Sequence, residues 1–184
     1  EGKRGNNKFL PHMLGHEASG VILEIGKNVK HLKVGDKVFL SWIKNDHKDA
    51  EKPFYIFKKQ RINAGNITTF SNVSVISSNR VNKIPKGVNF REASLLGCAL
   101  PTGAGMVLKQ KIKTQHKILI IGLGGVGISS LITALSLNKN ISAIDKNKKR
   151  IQFLKRRIKK NINTYSNFNL IKKNYFDFIF ESSG

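Results

Sequence analysis

Hydrophobic residues along the chain change period in a telling order. Ile118 to Ile121 is a short unbroken apolar run, the pattern of a parallel strand covered on both faces. After it, Ile128, Leu131, Ile132 and Leu135 recur at i, i+3, i+4, i+7, which predicts one apolar face of a helix. A second run, Ile141 to Ile144, predicts another buried strand, and Ile151, Leu154 and Ile158 predict a second amphipathic helix. Phe178 to Phe180 closes the series as a further strand. The first hundred residues read differently. Short strands, Gly20 to Ile25 and one beginning at Val34–Val38, are separated by glycine and asparagine turns, a β-rich pattern. Between the two styles, Asn89 with Glu92 three positions on forms a capping box and predicts a helix start over Asn89–Leu96.

The junction between the first strand and its helix carries the clearest chemistry. Gly122, Gly124 and Gly127 fall at G-x-G-x-x-G spacing, with Gly125 and Val126 between them. In such a turn the first glycine makes the bend, the second lets the backbone approach a pyrophosphate, and the third lets helix and strand pack closely. The helix N-terminus then faces the phosphates with its N–H groups and positive dipole end. Asp145, at the end of the second strand, stands where an acid accepts hydrogen bonds from the adenosine ribose. A carboxylate there repels a 2′-phosphate and so favours NAD over NADP, although Lys146, Lys148 and Arg150 follow closely and soften that preference. A rival reading takes the uncharged stretch Ile118 to Leu137 as a membrane span. Four glycines within Gly122 to Gly127 argue for the turn, and no membrane association is expected.

Charge adds a second rival. The 184 residues carry a net charge of +22, densest over Lys146–Arg150 and Lys155–Lys160, which raises nucleic acid or an anionic surface as a partner. Lysine far outnumbers arginine, the better phosphate reader. The basic run also has a buried-face period of its own, so the lysines read as the solvated side of a packed helix, with no specific nucleic-acid partner. The lone cysteine, Cys98, excludes an intrachain disulfide and agrees with a reducing cytoplasm. No signal peptide is visible. The chain opens without methionine and stops just after an apparent strand, so both ends are expected to be cut from a longer parent.

Several segments together resemble the zinc-dependent medium-chain alcohol dehydrogenases. Gly15-His16-Glu17 followed by Gly20, and Val34-Gly35-Asp36-Lys37-Val38, resemble their GroES-like catalytic domain. Thr69-Phe70 before Val73-Ser74-Val75 is similar to the segment leading a substrate-channel aromatic into a strand. Leu95-Leu96-Gly97-Cys98, then Thr102-Gly103, resembles the segment bearing a second zinc ligand and a threonine near the nicotinamide. The resemblance implies an α/β protein with a β-rich domain: a partial GroES-like catalytic domain over 1–99, then the first half of a Rossmann NAD-binding domain over 100–184. It implies zinc held by His16 and Cys98, with Glu17 as neighbour or occasional ligand, and NAD on the glycine turn. It implies Glu17, Thr102 and Phe70 around the reacting atoms, Phe70 and Trp42 walling an apolar channel, and Cys98 in the cleft between domains. The substrate would be a small alcohol or carbonyl compound, and the intact parent a homo-oligomer.

Three departures narrow the resemblance. The family's first cysteine ligand would fall before Glu1, its cysteine-rich structural-zinc lobe is replaced by Ser41–Arg61 without cysteine, and the second nucleotide-binding half is absent. The 184 residues alone are therefore expected to bind NAD weakly and to turn over nothing. The alternatives are a zinc-free NAD(P)H-dependent reductase of the same superfamily and, in another class, a basic protein binding nucleic acid or anionic surfaces.

Overall fold

The structure is a computed structural model and describes Gly5 and residues 9–137, 140–160 and 162–184. The chain divides into two compact units, Glu1–Cys98 and Ala99–Gly184.

The first unit is built from short strands: β1 Ser19–Val21, β2 Lys37–Leu40, β3 Phe54–Phe57, β4 Gln60–Asn63 and β5 Val81–Lys83. Strands β1, β2 and β5 form an antiparallel sheet with β2 central, Val38 facing Gly20 on one side and Lys83 on the other. Leu32, Val38 and Val81 are its buried core, with Ile22, Val29, Leu40 and Ile76 packed around them. The turn before β2 is fastened by Asp36. Its Oδ2 accepts the Lys33 backbone N–H at 3.0 Å and pairs with Lys83 Nζ at 3.0 Å. The Lys83 bond, followed by the Lys33 N–H, holds the Asp36 carboxyl below its ordinary range.

Two sequence expectations change here, and one feature was not anticipated. The strand expected over Gly20–Ile25 is shorter and starts at Ser19, though Ile22 still exchanges backbone bonds with the turn at Gly35 and Asp36. No strand forms over Val73–Val75. The Ser74 hydroxyl donates to the Thr68 carbonyl at 2.7 Å and meets the Ser71 hydroxyl at 2.8 Å, so side chains curl the segment into bends. The cysteine-free stretch before Asn63 contains a hairpin, β3 against β4, whose two turn residues Lys58 and Lys59 have φ of 48° and 64°. That geometry is ordinarily signalled by Asn-Gly or Asp-Gly, so two lysines hid it.

Asn89 caps as expected, its side chain accepting the Glu92 N–H at 3.0 Å. The helix it starts, α1, covers only Phe90–Ala93 before tightening into a 3₁₀ turn over Ser94–Gly97. The Ser94 hydroxyl donates to the Arg91 carbonyl at 2.8 Å. Gly97 lies so close to the Leu40 carbonyl that a side chain there has no room.

The second unit contains α2 Ala99–Leu108, β6 Ile118–Ile121, α3 Gly125–Leu137, β7 Ile141–Ile144, α4 Lys148–Arg157, β8 Asn163–Tyr165 and β9 Phe178–Glu181. The four strands form a wholly parallel sheet in the order β8-β7-β6-β9. Ile118, Ile120, Leu131, Ala134, Ile141 and Phe180 anchor its core. Strand order reverses at β6, and in open parallel sheets the crevice beyond such a reversal, at the carboxyl ends of the strands, is where ligands bind. Helices α2 and α3 pack through small residues. Ser129 donates to the Leu100 carbonyl at 2.7 Å, and Ser130 to that of Gly103 at 2.9 Å. The uncharged run from Ile118 to Leu137 is thus a strand, a turn and a helix. Among the described residues no helix is long and apolar enough to cross a membrane. On α4, Ile151 and Leu154 face the core while the lysines and arginines are exposed.

Candidate metal centre and dinucleotide cradle

Three donors converge in the first unit. The imidazole of His16, a carboxylate oxygen of Glu17 and the sulfur of Cys98 all lie within 4.8 Å of one another. Two local devices bring residues so distant in sequence together. The loop before His16 is pinned from behind, because the Leu14 carbonyl accepts the N–H groups of Thr69 at 3.1 Å and Phe70 at 3.0 Å. Gly15 has φ of 88°, and a Cβ on it would lie 2.5 Å from both the Phe70 ring and the Thr69 hydroxyl. Only glycine therefore lets the loop turn at this point. On the other side, the Gly97 carbonyl accepts the Ser41 hydroxyl at 3.2 Å and the Trp42 N–H at 3.4 Å. That fixes Cys98 at the end of β2.

The donor set suits zinc, which takes imidazole nitrogen, thiolate sulfur and carboxylate oxygen. Zinc bond lengths of about 2.0–2.3 Å place neighbouring tetrahedral ligands roughly 3.3–3.8 Å apart. The 4.8 Å bound on the donor separations lies about 1 Å above that range. His16 is exposed, while Glu17 and Cys98 are half-buried, so the cluster opens toward solvent on one side.

The Phe70 ring rests against Gly15, one residue from His16, and is 76% exposed. Trp42 presents its ring to Arg80, whose guanidinium lies 5.3 Å from the ring centroid and donates to the Trp42 carbonyl at 3.0 Å. Arg80 is 2% exposed and pairs with Asp49 at 3.3 Å. Nothing in its sequence surroundings marks this buried cation. Thr102 lies in the other unit, exposed on α2.

In the second unit the glycines do distinct work. Gly122 has φ of 87°, and a Cβ there would be 2.9 Å from the Ser183 backbone. Gly127 lets α3 close on the strand, since a Cβ on it would run into the Gly122 carbonyl and come within 2.8 Å of Ser182 Oγ. Gly124 has open space on its Cβ side, as a backbone approached by a ligand requires. Gly125 and Val126 begin α3, and the first N–H groups of a helix have no acceptor within it.

Asp145 follows β7 directly, and its side chain is 3% exposed. Its Oδ2 accepts the Leu123 N–H at 2.7 Å, reaching into the glycine turn, and its Oδ1 accepts the Asn147 N–H at 2.7 Å. Arg150 Nη1 sits 3.3 Å from Oδ2. Burial alone pushes this carboxyl upward. The Asn147 and Leu123 N–H groups, with Arg150, outweigh it and hold the group below its ordinary range. Leu123 and Arg150 were not legible as partners of the acid. Only the spacing of Asp145 after the turn was.

The first unit is thus β-rich with a candidate metal-donor cluster, and the second is a parallel sheet with a glycine turn of the dinucleotide-binding type. A family profile described as the alcohol dehydrogenase GroES-like domain matches residues 2–86, and one described as the alanine dehydrogenase/PNT C-terminal domain matches residues 98–178. Among curated proteins, the chain is 27% identical over 174 residues to an S-(hydroxymethyl)glutathione dehydrogenase of Photobacterium damsela subsp. piscicida, covering 80% of this chain and 47% of that protein. It is 28% identical over 151 residues to an alcohol dehydrogenase of Geobacillus stearothermophilus, covering 79% and 45%. Benzyl alcohol dehydrogenase from Acinetobacter calcoaceticus is a similar solved structure, with a TM-score of 0.74 at 25% identity over 95% of this chain and 56% of that one. A quinone oxidoreductase of Pseudomonas syringae shares the fold, with a TM-score of 0.64 at 23% identity over 88% of this chain and 44% of that one. The chain resembles the medium-chain alcohol dehydrogenases, as a GroES-like domain followed by the start of a Rossmann-type nucleotide-binding domain. It spans about half the length of the curated relatives it matches.

Proposed function

We propose that the chain serves an oxidoreductase that interconverts an alcohol and an aldehyde or ketone, with zinc at the His16–Glu17–Cys98 cluster and a nicotinamide dinucleotide as hydride partner. The observation that carries this reading is the convergence of imidazole, carboxylate and thiol within 4.8 Å. His16 and Cys98 would be the ligands, and Glu17 would stand beside them as an adjustable third donor. Zinc supplies Lewis acidity toward an alcohol or carbonyl oxygen, and the hydride chemistry is the dinucleotide's own. The protein's share is placement. The Phe70 ring beside the His16 loop offers an apolar wall. The turn from Gly122 to Gly127 offers backbone N–H groups and a helix N-terminus to a pyrophosphate. The acid at position 145 is what the sequence rule associates with NAD. The alcohol dehydrogenase relatives support the reaction class, and the parallel sheet with its glycine turn supports the dinucleotide.

The test is to assay the full-length gene product with NAD, NADP and a panel of primary and secondary alcohols, alongside metal analysis of the same preparation. Stoichiometric zinc together with alcohol-dependent reduction of a dinucleotide is expected, and His16→Ala should remove both. Neither zinc nor hydride transfer would overturn the proposal, while activity without zinc would transfer it to the zinc-free reductases.

A further inference from the structure

We propose that the hairpin of β3 and β4 is a contact for an anionic lipid surface, which it meets with an exposed apolar face rimmed by cations. This stands apart from the metal and dinucleotide readings of the chain. Strand register sorts the hairpin into two faces. Tyr55 lies directly opposite Ile62, and Ile56 opposite Arg61, and such pairs share a face. Tyr55 and Ile62 are half-buried, and the Tyr55 hydroxyl accepts the Val75 N–H at 3.1 Å. The other face is open. Phe54 is 51% exposed and Ile56 71%, with Phe57 at 63% beside the turn. The Arg61 guanidinium lies 4.2 Å from the Phe54 ring centroid, and Lys58 Nζ 5.5 Å from that of Phe57. Lys52 and Lys59 add two further cations, and no acid occurs from Lys52 to Arg91. Anionic headgroups supply the complementary charge, and the acyl boundary beneath them receives the apolar side chains.

The turn gives a second reason. Lys58 and Lys59 hold φ of 48° and 64°, a conformation that Asn-Gly enters with less strain. Residues kept in a disfavoured backbone region are grounds for a functional assignment, and here they put two cations at the tip of the hairpin. Two other occupants fit less well. Single-stranded nucleic acid stacks its bases on bare aromatic faces. The Phe54 ring is covered by Arg61, and the most exposed of the apolar residues, Ile56, offers no ring at all. A second copy adding a strand to the β3 edge would meet Pro53, Lys52, Lys58 and Lys59 at its ends, residues that blunt edge pairing. No membrane association was expected from the sequence, in which neither the register nor the exposure of this hairpin is visible. A surface contact of this kind needs no spanning helix.

The experiment sediments the 184-residue chain with vesicles at near-physiological salt. One set is phosphatidylcholine alone, the other equal parts phosphatidylcholine and phosphatidylglycerol. The chain should partition onto the mixed vesicles and far less onto the neutral ones. Ile56→Ser with Phe57→Ser should weaken that binding by about tenfold or more, through lost apolar burial. Lys58→Asn with Lys59→Gly should weaken it by roughly twenty- to thirtyfold, at roughly fivefold for each cation near the surface. This second pair gives the turn the residues its positive φ favours, so its loss of binding is not a loss of folding. Lys155→Gln with Arg156→Gln removes the same charge from the exposed side of α4 and should change binding much less. Equal loss from the α4 pair, or no loss from the serine pair, would mean diffuse adhesion of a basic protein and would overturn the proposal. So would equal binding to both kinds of vesicle. A single-stranded oligonucleotide held more tightly than the mixed vesicles and released by the serine pair would reassign the face to nucleic acid. A dimer without lipid that the serine pair dissolves would reassign it to a second copy.

Discussion

Replacing Gly127 by alanine tests the closeness of helix and turn on which the cradle depends. Alanine gains about 0.5–1 kcal/mol over glycine in a helix interior. Against that, the new Cβ would collide with the Gly122 carbonyl and approach Ser182 Oγ to 2.8 Å and Gly122 C to 2.9 Å. The obstacle is backbone, and backbone of a turn whose first residue already holds a φ of 87°. Relief therefore cannot come from one rotating side chain. Overpacking in a close-packed core costs about 1–3 kcal/mol, and an immovable obstacle puts this site at the upper end. The net is a loss of about 2 kcal/mol. For a unit the size of Ala99–Gly184 that corresponds to roughly 8–16 °C in the thermal midpoint. Gly105→Ala is the matched control. That glycine is also helical, in α2, but nothing lies within 4 Å of its Cβ position, so the propensity gain should stand alone and raise the midpoint by a few degrees. The assay is thermal unfolding followed by circular dichroism. If Gly127→Ala matched or exceeded Gly105→Ala in stability, α3 would not approach the turn as described.

Two further outcomes follow from the second unit. The Asp145 carboxyl is held below its ordinary value of 3.8 in the folded chain. Its contribution is fully present above that value and is lost as pH falls through the depressed folded one. Acid unfolding below about pH 4 should therefore be shallower for Asp145→Asn than for the parent, and parallel acid titrations would contradict the bonding described. Leu131, fully buried at the centre of α3, should cost about 2–5 kcal/mol on truncation to alanine, whereas its exposed neighbour Ile132 should cost far less; urea denaturation separates the two.

The sequence was most informative where one residue type has one physical use. Gly122 and Gly127 could be placed because only a residue without Cβ fits a bend of positive φ or a helix pressed on a carbonyl. The apolar runs of β6 and β7 were equally plain, since both faces of a central parallel strand are covered. The candidate metal-donor cluster was different in kind. His16 and Glu17 are adjacent, but Cys98 lies far from them along the chain, and no local pattern links it to them. Only family resemblance anticipated a convergence that the fold brings about through Gly15 and Gly97. Other features left no local signal. Lys58-Lys59 adopts a turn usually given to Asn-Gly. Ser71 and Ser74 fold Val73–Val75 out of a strand. The partners of Asp145 are a backbone N–H across the sheet and an arginine one helical turn on, and burial of Arg80 depends on Trp42 and Asp49 from a separate loop.

The claim on which the function rests is that an imidazole and a thiolate of this chain hold one metal ion together. Cobalt(II) titration of the 184-residue chain reports on both, because a cobalt–thiolate bond gives an intense charge-transfer absorption that nitrogen and oxygen ligands do not. One equivalent should bind with that absorption. Cys98→Ser should abolish the band, His16→Ala should weaken binding, and zinc should displace the cobalt. Cobalt bound without the sulfur band, or equally well by both variants, would contradict the account.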